Sequence, residues 1–122
     1  MFKDTGTFSG FSVDDVAAAK KFYGDTLGIE VTEEGPGIAL HLAGRTNVFA
    51  YGKEDHEPAT FTVLNFEVDD VDAAVDRLTE AGVTMEQYEG MTNEKGVMRG
   101  HGPEIAWFKD PAGNVLSVID AA

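Results

Sequence analysis

The sequence predicts an α+β protein built from two βαβββ modules, and two observations support this. First, the nine residues from Phe11 to Ala19 recur from Phe66 to Ala74 with seven identities, at a spacing of 55. A duplicated unit of this size predicts two similar supersecondary structures. Second, each half contains a segment with a period of two residues followed by one with a period of about 3.6, which indicates a strand leading into a helix.

The first strand of each module shows a clear alternation of apolar and polar positions. Phe11 and Val13 are predicted on the buried side of the first, with Phe8, Gly10 and Ser12 opposite. In the second module the same reasoning separates two sets of side chains: Leu64, Phe66 and Val68 on the buried side, and Val63, Asn65 and Glu67 on the other.

A helix is expected after each of these strands. Asp14 or Asp15, and Asp69 or Asp70, stand where a carboxylate would cap a helix N-terminus, and Gly82 suits a left-handed C-terminal position. Further strands are predicted in six apolar runs: 29–32, 38–42, 47–51, 83–88, 105–108 and 115–119. The glycine-rich connection 89–103 is interpreted either as a functional lid or as a plain loop.

Length and composition favour a single domain. The chain has 122 residues, of which 43% are hydrophobic and 25% charged, enough for one core and typical of a globular protein. The seam between the modules is expected in the charged stretch 54–58, placing module one at about 1–57 and module two at about 58–122.

Charge and cysteine content exclude several classes of function. Nine Lys and Arg against 22 Asp and Glu give a net charge of −13, so we expect neither nucleic acid nor a membrane as a partner. The acidic excess either attracts cationic ligands, or only maintains solubility or reflects adaptation to high salt. The second interpretation is favoured because many acids fall on exposed helix positions. Without cysteine there are no disulfides or thiolate sites. No apolar run approaches a spanning helix, so a soluble cytoplasmic protein is expected.

Three features together resemble one known superfamily. They are the Val-Asp-Asp start of each helix, Phe22-Tyr23 ahead of Leu27-Gly28, and the closing segment from Trp107 to Leu116. They resemble the vicinal oxygen chelate superfamily, which includes glyoxalase I, extradiol dioxygenases, fosfomycin-resistance thiol transferases and bleomycin-resistance proteins. The resemblance implies two cupped mixed sheets around a shared cleft, helices on the outside, and a homodimer.

Enzymes of this superfamily hold a divalent metal on His, Gln or Glu side chains from four strands. The resemblance puts these four positions at Phe8, Ala50, Val63 and Ser117. None offers the carboxylate or imidazole that such an ion requires, so neither a metal nor another cofactor is expected. A relocated site built from His41, His101 and Glu104 or Glu67 stays open as an alternative.

The remaining candidates make up an apolar pocket with a few polar groups. His41 is a candidate general base or hydrogen-bond partner, or only a rim residue; Trp107 is a stacking platform or a core residue; Arg99 contacts an anionic ligand or belongs to a turn. The predicted ligand-binding residues are Phe8, Gly10, Ser12, His41, Val63, Asn65, Glu67, Arg99, Ile105, Trp107 and Ser117.

The leading hypothesis is a metal-free protein that binds an apolar or cationic small molecule in its cleft. The alternative is a lyase or dioxygenase-type enzyme, with a rearranged metal site or with metal-free acid/base chemistry around His41 and Glu67. A structural or regulatory protein with a filled cleft is the third hypothesis. Whether a reaction is catalysed stays open at this point.

Overall fold

A computed structural model describes residues 1–45 and 47–121. The chain divides into two compact units, of which the first is Met1–Glu57 and the second begins at Pro58. Each unit contains one α-helix and one open four-stranded mixed sheet, as the predicted α+β class requires, and the first unit also has a short 3-10 helix over Ala43–Arg45. Within the described residues, no helix has the length and apolar character needed to cross a membrane.

The first module follows the predicted order of elements. Its strands are β1 (Ser9–Val13), β2 (Glu30–Glu34), β3 (Gly37–His41) and β4 (Asn47–Gly52), and the helix α1 (Val16–Lys21) continues as a π-helix over Phe22–Thr26. The strand order across the sheet is β1-β4-β3-β2. β1 runs parallel to β4, and the other two pairs are antiparallel.

The second module has the same strand order and the same directions. Its elements are β5 (Thr62–Val68), α2 (Val71–Glu80), β6 (Val97–Met98), β7 (Ile105–Lys109) and β8 (Val115–Asp120). The order in the sheet is β5-β8-β7-β6, with β5 parallel to β8 and the other pairs antiparallel.

Aspartate caps begin both helices, and the structure selects the second residue of each Asp-Asp pair. Asp15 Oδ1 accepts a hydrogen bond from the backbone N–H of Ala18, and Asp70 Oδ1 accepts one from that of Ala73, both at 3.1 Å. These bonds satisfy amides that have no partner inside the helix. Gly82, with a φ of 91°, takes the left-handed conformation predicted for it after α2.

Each core lies between a helix and one side of its sheet. In module one the buried side chains include Phe11, Val13 and the fully buried Tyr23, whose ring centroid lies 6.0 Å from that of Phe11. In module two, Ala106 and Phe108 are buried, as the alternation of β7 predicts.

Two predicted elements differ from the structure. Residues 83–88 were expected to form a strand, but only Met85 bridges to Phe108, while β6 falls inside the connection predicted as a loop. The reason is competition for one edge: Val97 and Met98 pair with Ala106 and Ile105, which leaves only the far end of β7 for Met85.

The first helix also departs from the expected regular pattern. Its second half is a π-helix, closed by a bond from the Leu27 N–H to the Phe22 carbonyl. A turn widened by one residue in this way changes which side chains point to the sheet, and periodicity at 3.6 residues does not reveal it.

Candidate functional site

Each module has a sheet side that faces away from its helix, and the candidate residues lie mainly there. In module one we call this side face 1. Strand register places in one row Gly10, Phe49 and Ala39, and in the next row Ser12, Tyr51 and Gly37. Because paired residues project to the same side of a sheet, these rows form one surface.

Aromatic rings dominate face 1. The rings of Phe49 and Tyr51 stack with centroids 6.0 Å apart and planes at 24°. Phe8, just before β1, lies edge-on to Phe49 at 6.5 Å and is 74% exposed. At Gly10, a Cβ would lie only 3.1 Å from the Phe49 carbonyl oxygen, a tight contact, and 3.6 Å from a carbon of the Tyr51 ring, an ordinary one. The result is a continuous aromatic surface with one edge open to solvent.

A shallow cavity of about 340 Å³ lies beside these rings and carries an acidic group. It is lined by Phe8, Glu34, Ala39, Asn47, Val48 and Phe49. Glu34 contributes the only charged side chain among these residues. An aromatic wall with one carboxylate suits an apolar molecule and also one that carries a positive charge.

Both histidines of module one hydrogen-bond to hydroxyl groups. His41 Nε2 lies 2.8 Å from Thr32 Oγ1, and His56 Nδ1 lies 2.7 Å from Ser12 Oγ. His41 shares face 1 with Ser12, because it lies on β3 on the same side as Ala39 and Gly37. The alternation around Leu40 predicts this side. Its strand partner is Glu30, which adds a second acidic residue to this side of the sheet.

Face 2 is the corresponding side of module two, and its central row is Asn65, Ser117 and Trp107. The indole N–H of Trp107 donates to Thr62 Oγ1 at 3.2 Å. Since Trp107 is on β7, Thr62 is on β5 and β8 runs between them, the indole lies across β8. Tyr88 packs edge-on against the indole at 5.6 Å.

The next row of face 2 contains Glu67, Ile119 and Ile105. Glu67 is exposed, and Ile105 and Trp107 are both half-buried. The structure thus brings five predicted site residues onto one face, namely Asn65, Glu67, Ile105, Trp107 and Ser117.

Two predicted positions change role. Val63 was placed beside Asn65, but it is the extra residue of a β-bulge and has no register partner. Thr62 takes the place beside Trp107 instead. Ala50 is fully buried on the helix side with Phe11, and the residue level with Ser117 in module one is Phe49. The bulge shifts the pairing at Thr62 by one residue. At Ala50, the strand register differs by one residue from the sequence match with Ser117. Sequence spacing alone shows neither shift.

Arg99 is engaged in an ion-pair network. Its Nε lies 2.8 Å from Glu104 Oε1, and its terminal nitrogen pairs with Asp72 of α2. Lys95 joins the network through Asp72 at 3.3 Å and Asp76 at 3.0 Å. The hydrogen bond from Arg99 lowers the pKa of Asp72, and the same bond to Asp72 raises the pKa of Arg99. The network connects the 95–104 segment to α2.

The residues at the family's metal positions do not fit a metal ion. By resemblance and strand register, these positions hold Phe8, Phe49, Ser117, and Val63 or the adjacent Thr62. None is a carboxylate or imidazole, and the hydroxyls of Thr62 and Ser117 are hydrogen-bonded to Trp107 and Asn65. In the described part of the chain, no three His, Asp or Glu side chains are placed to hold a metal ion.

Several side chains that contribute to the two faces were not among the residues predicted from the sequence. Phe49 and Tyr51 could have been found, because alternation along 47–51 puts them opposite the buried Val48 and Ala50. Thr62 depends on the bulge, and the contacts of Tyr88 and His56 depend on tertiary structure. No local pattern indicates these three.

Comparison with known proteins agrees with this architecture. The sequence pattern of the Glyoxalase/Bleomycin resistance protein/Dioxygenase superfamily matches residues 8–118, and the chain belongs to this family. No curated protein matches the chain.

Solved structures of similar fold cover almost the entire chain. TnmS3, an antibiotic binding protein from Streptomyces sp. CB03234, has a TM-score of 0.70 and 27% identity, covering 98% of each chain. A glyoxalase/bleomycin resistance protein from the same organism has a TM-score of 0.63 and 28% identity, covering 93% of this chain and 100% of that one. Lactoylglutathione lyase from Agrobacterium tumefaciens has a TM-score of 0.69, covers 95% of this chain and 93% of that one, and at 22% identity shows the fold alone.

Proposed function

We propose that this protein binds an apolar or cationic small molecule through its aromatic sheet faces, without a metal ion. The observation that carries the proposal is face 1, where stacked Phe49 and Tyr51 and the exposed Phe8 border a cavity of about 340 Å³. Large apolar side chains exposed together on a sheet are costly to maintain without a ligand or partner.

Charge and similarity give further support. Glu30 and Glu34 lie on the same side as the aromatic rings, and the whole chain has a net charge of −13, which favours cations over anions. One similar structure is that of an antibiotic binding protein. The non-ligating side chains at the family's metal positions support binding that needs no metal.

Two exposed phenylalanines allow a matched test of the binding surface. Phe8 is 74% exposed on face 1, and Phe61, a residue of module two, is 68% exposed and does not belong to the strand rows of face 1. Titration with proflavine, a planar aromatic cation, should show saturable binding that Phe8→Ala weakens about fivefold, as expected for loss of one ring contact of about 1 kcal/mol. Phe61→Ala should bind proflavine like the wild type. Equal losses in both variants, or no saturable binding, would contradict the proposal.

Elemental analysis tests the metal-free part of the proposal. Protein purified without chelator should contain far less than one equivalent of Fe, Mn, Ni, Co or Zn. One equivalent that disappears in His41→Ala or Glu67→Ala would instead support the enzyme alternative with a rearranged metal site.

A further inference from the structure

The row of Asn65, Ser117 and Trp107 on face 2 contains a buried hydroxyl that determines how a neighbouring amide is oriented. Ser117 is fully buried between its two row partners, and its Oγ donates to Asn65 Oδ1 at 2.5 Å. The Ser117 hydroxyl has no other hydrogen-bond partner among residues 1–45 and 47–121. The side-chain oxygen of Asn65 is therefore the acceptor on which the Ser117 O–H depends.

Turning the amide over would remove that acceptor. The NH2 group of Asn65 would then point at Ser117 Oγ, and the buried O–H would have nothing to donate to. Leaving a buried donor unsatisfied costs more than the hydrogen bond itself gains. Ser117 thus holds the amide with its oxygen inward and its two N–H donors outward.

The outward donors lie next to the aromatic platform of face 2. Asn65 is exposed, and its amide nitrogen has no partner in the described part of the chain. Trp107 is held over β8 by its bond to Thr62, which pairs with Val115 in the neighbouring row, so the indole N–H is already used and its ring remains for stacking. A ring stacked on the indole would place its edge near the Asn65 N–H groups.

We propose that Asn65 is a specificity-determining residue, and that face 2 selects planar compounds that carry a hydrogen-bond acceptor such as a carbonyl oxygen. Ser117 is the positioning residue that sets this preference. The inference rests on the proposed binding function and adds to it the chemical class of the ligand, a planar compound with a hydrogen-bond acceptor at its edge.

Two probes of similar outline separate stacking from hydrogen bonding: coumarin, which has a carbonyl oxygen, and naphthalene, which has none. The chain has one tryptophan, so the Trp107 indole N–H gives a single NMR resonance that reports binding at face 2. Asn65→Asp replaces the donors with a carboxylate of the same shape. It should weaken coumarin about fivefold, the value of one net hydrogen bond, and leave naphthalene unchanged.

Two further variants sharpen the test. Ser117→Ala frees the amide to turn, and should lower the coumarin preference while the indole resonance stays in place. Asn93→Asp adds the same charge elsewhere and keeps its two bonds, in which Oδ1 accepts from the N–H groups of Lys95 and Val97. It should bind both probes like the wild type.

The failures of the two proposals are distinguishable. If both probes shift the indole resonance but Asn65→Asp changes neither affinity, the role of Asn65 is wrong while binding at face 2 stands. If neither probe produces a saturable shift, binding at face 2 and the role of Asn65 are both wrong.

Discussion

The two modules share one topology but arrange their aromatic residues differently. In module one, Phe49 and Tyr51 lie on β4, the strand next to β1. In module two the equivalent strand, β8, carries Ser117 and Ile119. The aromatic residue is Trp107 on β7, which is the neighbour of β8 in the sheet. The same backbone plan therefore supports an aromatic and acidic surface in one half, and a single indole beside an amide in the other.

This difference depends on where each sheet leaves space for a side chain. Gly37 and Ile105 occupy equivalent places, since each pairs with a face residue of the next strand, Tyr51 or Ile119. A Cβ at Gly37 would lie 2.1 Å from the Ala50 carbonyl oxygen and 2.7 Å from the Tyr51 Cα. At Gly37 the backbones of β3 and β4 are therefore too close for any side chain, whereas the equivalent position of module two holds Ile105.

The largest predicted effect follows from that close approach. Gly37→Ala should destabilise the protein by about 3 kcal/mol or more, because backbone atoms of β4 must move. Gly6→Ala, where nothing lies within 4 Å of the added carbon, should stay within about 0.5 kcal/mol of the wild type. Urea unfolding measures both free energies. A Gly37→Ala protein as stable as the Gly6→Ala control would mean that the modules do not differ at this point.

The helices offer a second contrast, of intermediate size. Gly24 lies in the π-helix, and a Cβ there would meet only ordinary contacts, with the closest atom, Val31 Cγ2, at 3.8 Å. Gly24→Ala should therefore stabilise the protein by about 0.5 to 1 kcal/mol through the unfolded chain. Gly82→Ala, after α2, should destabilise it, since its φ of 91° disfavours a side chain. Thermal unfolding that shows the same sign for both would refute the contrast.

The smallest effect concerns the ion-pair network of module two. Because Asp72 has a lowered pKa in the folded state, its contribution to stability is present above its unfolded pKa and is lost as the pH falls through the folded value. Asp72→Asn should lower the unfolding temperature modestly near pH 7, as these groups are exposed, and this deficit should shrink as the pH is lowered from 7 to below the unfolded value of 3.8. Asp4→Asn, outside the network, should show no such convergence. A constant Asp72→Asn deficit across this range would count against the pairing.

Local patterns predicted much of the fold, and particular residues show why. Phe11 and Val13 were predicted on the buried side from alternation alone, and they are buried. Asp15 and Asp70 were among the predicted caps because a carboxylate before an apolar run is a local signal. The strand predicted at residues 83–88 failed because its place along β7 was taken by Val97 and Met98, and local periodicity does not show which segment pairs with which strand.

The candidate site was less accessible to sequence reasoning. His41 and Asn65 were identified from alternation, and Trp107 from the family resemblance. Alternation predicts the side of a strand on which a residue lies, but not the residues that it contacts. Arg99 was considered for an anionic ligand, whereas the structure pairs it with Asp72 and Glu104, one of them 27 residues away in sequence.

By itself, the sequence determined the two βαβββ modules, the helix starts and the buried side of β1, because these follow from interactions between residues a few positions apart. Tertiary structure alone decided the bulge at Val63, the narrow space at Gly37, and the orientation of Asn65 by Ser117. These features depend on how strands align with one another, and a shift of one residue between strands leaves the local pattern of each strand unchanged.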